Sequence, residues 1–295
     1  MIRRIIPALL VFLTLPAPAF AWGYDGHHYI MRRAIELLPS QLKPFYEAHE
    51  EEIVLRVVDP DLWRLVGWED DPHHFVDFGA REYGAYPFTE LPRDYSAALE
   101  KFGIATLKRN GLLPWWEQEQ FGNVRRAFEG FKGQSEFAVT NLVLFSAVMS
   151  HYIQDATQPL HATINFNGQQ TGQIGVHGRF ETDLFDRYMS KLVINPAPPN
   201  AMTNARDAAF DTLIASYQLV DALLKADRDA SAGKDTYDDE YFDKFFVAVR
   251  PMLERQISLA ITNTAGLIMG AWELAGKPAL RIKDAHSVQK VRKLP

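Results

Sequence analysis

Cysteine is absent from the 295-residue chain. That absence excludes disulfides, thiolate nucleophiles and every zinc or iron–sulfur site built on Cys ligands. Positive charge is in short supply, with 31 Lys and Arg against 37 Asp and Glu for a net charge of −6. Such a balance argues against duplex DNA binding, whose non-specific affinity comes from neutralised phosphates. Beyond residue 21 no apolar run reaches the roughly 20 residues of a membrane-crossing helix. Two-residue alternation is scarce, which leaves little basis for half-buried strands. Also missing are a P-loop, a nucleophile elbow, a dinucleotide fingerprint and a His-Glu-x-x-His zinc motif.

What is present begins with a leader pattern. Arg3 and Arg4 precede an apolar stretch from Ile5 to Leu15, and Ala19-Phe20-Ala21 forms a small-x-small site. This reads as a secretory signal over residues 1–21, cleaved before Trp22, for a secreted or periplasmic protein. Cleavage leaves 274 residues with 29 bases and 37 acids, a charge of −8. An exported chain without disulfides poses the question of what else ties its fold together.

The remaining periodicity is helical. Phe137–Ala156 has no Gly or Pro and is almost continuously apolar from Leu142 to Met149, the pattern of a buried central helix. Ala205–Ala226 carries Ala209, Leu213, Tyr217, Val220 and Leu224 at three- and four-residue spacings. Asp239–Glu273 is expected to break near Pro251 and to close at Gly276 and Pro278. Shorter helices are expected at Tyr29–Leu38, Ser40–Glu50, Tyr95–Asn110, Glu117–Phe131 and Arg179–Leu192, with irregular chain at 70–93, 165–175 and 195–204. The fold class is therefore all-α, a single multi-helix domain over residues 22–278, followed by a basic, loosely packed tail at 279–295.

Candidate chemistry collects on histidines and carboxylates. His151 and Asp155 are four residues apart, so a helix presents both on one face. His161 follows just past the break at Pro159, and His177 and Glu181 repeat the four-residue spacing. Imidazole nitrogen and carboxylate oxygen in this arrangement suit zinc. A surface ion pair is the plain alternative for one such pair, but two pairs with a third His between them fall within residues 151–181. A carboxylate on so apolar a helix also needs a partner, either a metal or a buried Arg or Lys.

Three segments together, Trp22-Gly-Tyr-Asp-Gly-His27, His151-Tyr-Ile-Gln-Asp155-Ala-Thr-Gln-Pro-Leu-His161 and His177-Gly-Arg-Phe-Glu181, resemble the zinc-dependent phospholipase C and S1/P1 nuclease superfamily. The resemblance runs from Trp22 to about Leu192 and implies an all-α enzyme with three zinc ions. It implies that Asp155 bridges two ions, one completed by His74, His151 and Asp61, the other by His27 and the amine and carbonyl of a terminal Trp22. A third ion would sit on His161, His177 and Glu181. Asp61 is chosen over Asp59 for its place in Asp59-Pro-Asp61, and His74 over His73 for His74-Phe-Val-Asp77. Three Zn²⁺ less the charges of Asp61, Asp155 and Glu181 leave a cationic pocket suited to a phosphodiester, with a metal-activated water as nucleophile and Asp61 to orient it or act as base. His28, His49, His73 and His286 have no assigned role and read as surface residues, with support of a ligand the alternative for His73.

The superfamily divides between lipid and nucleic-acid substrates. The five-residue step from Trp22 to His27 resembles the nucleases, whereas Glu181 as last ligand and the 16-residue interval from His161 to His177 resemble the phospholipases. The expected activity is release of a phosphorylated head group from a phospholipid, with transient membrane-surface contact. A nuclease acting on single-stranded nucleic acid is the alternative, and a non-catalytic zinc-stapled binding protein a third. Tyr83, Tyr86, Phe88 and Asp25 are candidates for a choline cage, and aromatics of the same kind would stack bases.

Overall fold

A computed structural model describes residues 22–133 and 135–284, so the leader lies outside the described residues, as do His286 and the end of the tail. The chain is all-α, and among the described residues there is no strand. Among the described residues, seven helices precede the first His-rich loop: α1 (Gly23–Glu36), α2 (Lys43–Ala48), α3 (Glu50–Arg56), α4 (Asp59–Leu65), α5 (Tyr95–Asn110), α6 (Leu113–Lys132) and α7 (Ala138–Asp155). After it come α8 (Val176–Gly178), α9 (Leu184–Tyr188), α10 (Ala205–Tyr217), α11 (Val220–Ser231) and α12 (Asp239–Leu274). A π turn, Arg179–Asp183, joins α8 to α9. None of the described helices is long and apolar enough to cross a membrane.

Helix α7 is central. It packs against α1, α3, α4, α6 and α12, and every residue from Ser146 to Asp155 is buried. Several of its polar side chains are matched by neighbours; the hydroxyls of Tyr46 and Ser146, for example, are 2.8 Å apart. The start of α7 has no cap of its own. Asp284 supplies one, accepting from the backbone N–H of Val139 (2.8 Å) and Thr140 (3.1 Å) and from the Thr140 hydroxyl (3.0 Å). The segment to Asp284 is thus held by specific contacts instead of trailing loosely, and the otherwise unassigned His49 meets the Ile282 carbonyl at 2.7 Å.

Several helix boundaries depart from the sequence reading. Helix α12 runs unbroken through Pro251. The carbonyl that loses its partner there belongs to Val247, on a face 75% exposed, where water can replace the bond. The expected helix Ala205–Ala226 divides at Gln218 and Leu219 into α10 and α11, and Ser40–Glu50 divides at His49 into α2 and α3. Helix α5 has the expected ends but is interrupted at Gly103 (φ 72°, ψ 155°). Helix α4 adds to the sequence reading, which expects no helix at 59–65; Pro60 fits its first turn. Gly111 serves the site from behind: with φ +96°, a Cβ there would lie 2.0 Å from the Phe75 carbonyl, so only glycine lets α5 close against the segment bearing His74.

Candidate metal centre

All nine residues singled out from the sequence are buried, none more than 4% exposed. Helix α7 brings His151 and Asp155 to its C-terminal end, α1 supplies His27, α4 supplies Asp61, and the loop after a short 3₁₀ turn (Asp71–His73) supplies His74. His161 lies in the 3₁₀ turn Pro159–Ala162, which Gln158 caps by accepting from the Leu160 N–H. Among the described residues, the structure assembles three groups that can hold a metal ion: His27, His151 and Asp155; Asp61, His74 and His151; and His161, His177 and Glu181. Within each group the ligand atoms lie within 4.8 Å of one another.

Asp155 faces two of these groups at once. Its Oδ1 lies 3.4 Å from His27 Nε2, while Oδ2 lies 2.9 Å from His74 Nδ1 and 3.4 Å from His151 Nε2. Asp61 Oδ1 completes that side at 3.8 Å from His74 Nδ1 and 3.9 Å from His151 Nε2. Asp59 turns instead to Arg56 at 3.3 Å. Trp22 is buried beside the end of α7, its indole N–H donating to the Gln154 carbonyl at 2.9 Å.

The tautomers follow from the outer partners. Nδ1 of His151 donates to the Val57 carbonyl (2.9 Å), Nδ1 of His161 to the His74 carbonyl (2.6 Å) and Nδ1 of His177 to the Phe166 carbonyl (3.1 Å). A carbonyl only accepts, so the proton of each neutral ring sits on the outer nitrogen and a lone pair faces inward. His161 Nε2 and His177 Nε2 consequently confront each other at 3.2 Å, and His151 Nε2 faces His74 Nδ1 at 3.0 Å. Around them, His27 Nε2, both oxygens of Asp61, Asp155 Oδ1 and Glu181 Oε1 are buried without a hydrogen-bond partner. Inward lone pairs and unpartnered carboxylate oxygens are a donor set for a cation, and the residues present fit a divalent metal.

Without an ion, the clustered carboxylates hold a proton on His74 that a bound cation would displace. Burial lowers the His74 imidazolium, but Asp155 and Asp70 outweigh it and lift its pKa to about 9. Burial would raise Asp155, yet His151 and His161 hold it well below the carboxylate range. His161 is pushed down to about 3, by burial first and then by the neighbouring His177.

Several participants escape the sequence reading. Asp70 accepts from His74 Nε2 (2.9 Å), His73 Nδ1 (2.9 Å) and the Tyr152 hydroxyl (2.9 Å), so it orients a ligand from behind. Its four-residue spacing to His74 is the available signal. His73 takes the supporting place and stacks on Trp116 at 3.9 Å. Gln158 donates to Glu181 at 2.7 Å, and Gln154 Oε1 lies 2.7 Å from His27 Nδ1. Glu117 is buried on α6 with both oxygens unpartnered, and burial together with Asp155 pushes its pKa well above the usual range.

A cavity of about 310 Å³ opens onto the centre, lined by Arg64, Asp71, His74, Phe75, Leu160, His161, Phe166 and His177. Arg64, three residues past Asp61 on α4, lies 3.5 Å from Asp61 Oδ1 and 3.0 Å from Asp71 Oδ1. The aromatics at the cavity are Phe75 and Phe166. The residues considered for a cage lie elsewhere: Tyr83 and Phe88 are buried in aromatic packing with Phe102 and Phe78, Tyr86 lines a separate cavity, and Asp25 is exposed on α1. No family model matches this chain, and no curated protein matches it either.

Proposed function

We propose that the protein is a zinc-dependent phosphodiesterase of the phospholipase C type, which releases a phosphorylated head group from a phospholipid. The observation that carries the metal-dependent part is the confrontation of inward imidazole lone pairs, His161 against His177, together with the inward lone pair of His151 and the unpartnered carboxylate oxygens around it. Asp61, His74, His151 and Asp155 would hold one ion. His27, Asp155 and the amine and carbonyl of a processed Trp22 would hold a second, and His161, His177 and Glu181 a third. When bound, zinc supplies Lewis-acid charge against phosphate oxygens and lowers the pKa of a bound water to about 7.

The chain's own residues do the rest. Arg64 offers a guanidinium at the cavity to a non-bridging phosphate oxygen, held in direction by Asp61 and Asp71. Asp61, buried with no hydrogen bond to either oxygen and with Arg64 3.5 Å from Oδ1, stands ready to orient the attacking water and take its proton. The cavity lining contains no Ser, Thr, Cys or Lys, in keeping with water as the nucleophile.

The lipid assignment rests on apolar side chains left in solvent along the segments that line the cavity. Leu62, Leu65, Val66 and Trp68 surround Arg64 in the chain and are 40–71% exposed, and Phe166 and Ile174 approach His177 at 44% and 58%. Exposed aromatic and aliphatic groups beside a site are suited to a bilayer surface. A second reading, hydrolysis of single-stranded nucleic acid, is favoured by Phe75 and Phe166 flanking Arg64 in one cavity, a pairing suited to a base and its phosphate.

One experiment tests both. Protein starting at Trp22 is loaded with zinc, its metal counted, and phosphatidylcholine vesicles and single-stranded DNA are offered in parallel. Head-group release with intact DNA is the expected result. Nucleotide release with inert vesicles overturns the lipid assignment in favour of the second reading. Full zinc content with neither activity overturns both and leaves a zinc-stapled binding protein.

A further inference from the structure

His177 and Glu181 are held by a short and irregular piece of chain. They straddle the junction of α8 with the π turn Arg179–Asp183, whose wider winding is uncommon and needs outside support. Between them in sequence is Arg179, whose side chain is engaged with a wholly different set of residues. The arginine is buried at 6% exposure. Its Nη1 donates to the Ile174 carbonyl (2.8 Å), Nη2 to Asp227 Oδ1 (3.0 Å) and to the Gln173 carbonyl (3.3 Å), and Nε to the Tyr241 hydroxyl (3.0 Å).

The acceptor side is equally fixed. Asp227, on α11 and fully buried, takes a bond from Gln173 Nε2 at 2.6 Å on Oδ2 and one from the Tyr241 hydroxyl on Oδ1. The guanidinium centre lies 3.8 Å from the Tyr237 ring. Gly175, at φ +87°, clears the space, since a Cβ there would stand 2.9 Å from Nη1. One fork of donors therefore ties the loop before His177 to α11 and to Tyr241 of α12.

We infer that Arg179, locked by Asp227, is the positioning residue of the His161, His177 and Glu181 group, and that it sets the affinity of that one ion. The inference rests on the three-ion reading proposed above. The other two groups share His151, and Asp155 faces both, whereas the third has no ligand in common with them and takes two of its three from the clamped segment. Arginine suits this task because its planar fork satisfies several acceptors at once, which lysine cannot do. Removing either partner leaves a buried charge without its counter-ion, and the strain falls on the π turn carrying Glu181.

Zinc alone, titrated into metal-stripped protein against a chromogenic chelator, tests this without any assay of turnover, with helix content followed by circular dichroism. Wild-type protein is expected to take three equivalents. Arg179→Lys and Asp227→Asn should keep two tight equivalents and weaken the third about 10–100-fold. Tyr241→Phe, which keeps both charges and removes only a hydroxyl, should weaken the same equivalent less. His161→Ala should lose that equivalent, and adding Arg179→Lys to it should change nothing more. Three equally tight ions in Arg179→Lys and Asp227→Asn would overturn the inference, and so would a uniform weakening of all three in Tyr241→Phe. A wild-type protein that takes fewer than three ions would instead refute the three-ion reading itself.

Discussion

His74 and Asp70 are joined by a 2.9 Å bond from Nε2 to Oδ2, and the bond decides which nitrogen of the imidazole faces Asp155 and Asp61. Asp70 is itself fixed by His73 and Tyr152, so the ring has little freedom to turn. The carboxylate also makes His74 a stronger donor to a cation. Asp70→Ala should lower zinc affinity about 10–100-fold, while Asp70→Asn, which keeps an acceptor oxygen, should lower it less. Chelator competition measures both, and unchanged affinity in the alanine variant would show that His74 is oriented by something else.

The proposed role of a processed Trp22 carries the next prediction. Trp22 is buried with its indole fixed to Gln154 and Thr157, next to the turn of α7 that bears Asp155. If its amine is a ligand, an amide in its place removes that ligand, because an amide nitrogen has no basic lone pair. Protein carrying extra residues before Trp22 should hold about one zinc fewer and hydrolyse phosphodiesters at least about tenfold more slowly, for a lost ligand costs on the order of 10–100-fold. Equal zinc content and equal rates with and without the extension would remove Trp22 from the ligand set.

Much of this centre is legible in the sequence because its spacings are local. The pairs His151–Asp155 and His177–Glu181 are each set by one helical turn, and the apolar run around His151 already implies a buried end of α7. Asp61 and His74 are reached through resemblance to a family and not through spacing, since α4 and the turn before His74 are too short to show a periodicity. Asp70, Gln154, Gln158 and Arg64 are not legible in this way. Their roles depend on which surfaces meet after folding, and nothing local distinguishes them from ordinary polar residues. The same applies to Asp284, which caps a helix 145 residues away, and to α12, where tertiary packing overrides the proline.

Under the proposed activity, Arg64 is the cation that meets the reacting phosphate. It lines the cavity with His74, His161 and His177 and is aimed by two carboxylates. A donor directed at charge that develops on phosphate oxygens contributes about 2.7–4 kcal/mol to the transition state, so Arg64→Ala should reduce kcat/KM by roughly 100-fold or more. Arg64→Lys should recover only part, because a point charge replaces a fork. Zinc content should stay at the wild-type count in both. A loss of zinc that matches the loss of activity would make Arg64 a support for Asp61 instead of a contact to substrate.

Asp77 gives a pH signature separate from the metal ligands. Burial pushes its carboxyl up to about 7 from an ordinary value of 3.8, and its Oδ1 is buried without a partner. Between those two values the folded chain keeps a proton that the unfolded chain has released. Stability from this group therefore falls as pH rises from about 4 to 7 and is flat above that. Asp77→Asn mimics the protonated form at every pH. It should match wild type near pH 4 and exceed it above pH 7 by roughly 2–4 kcal/mol, at about 1.4 kcal/mol per pKa unit. Paired thermal melts at pH 4.5 and 8 read the gap between the two proteins, in which contributions from the histidines cancel. A gap that stays constant, or that narrows as pH rises, would show that Asp77 is charged in the folded protein and has a partner at its carboxylate.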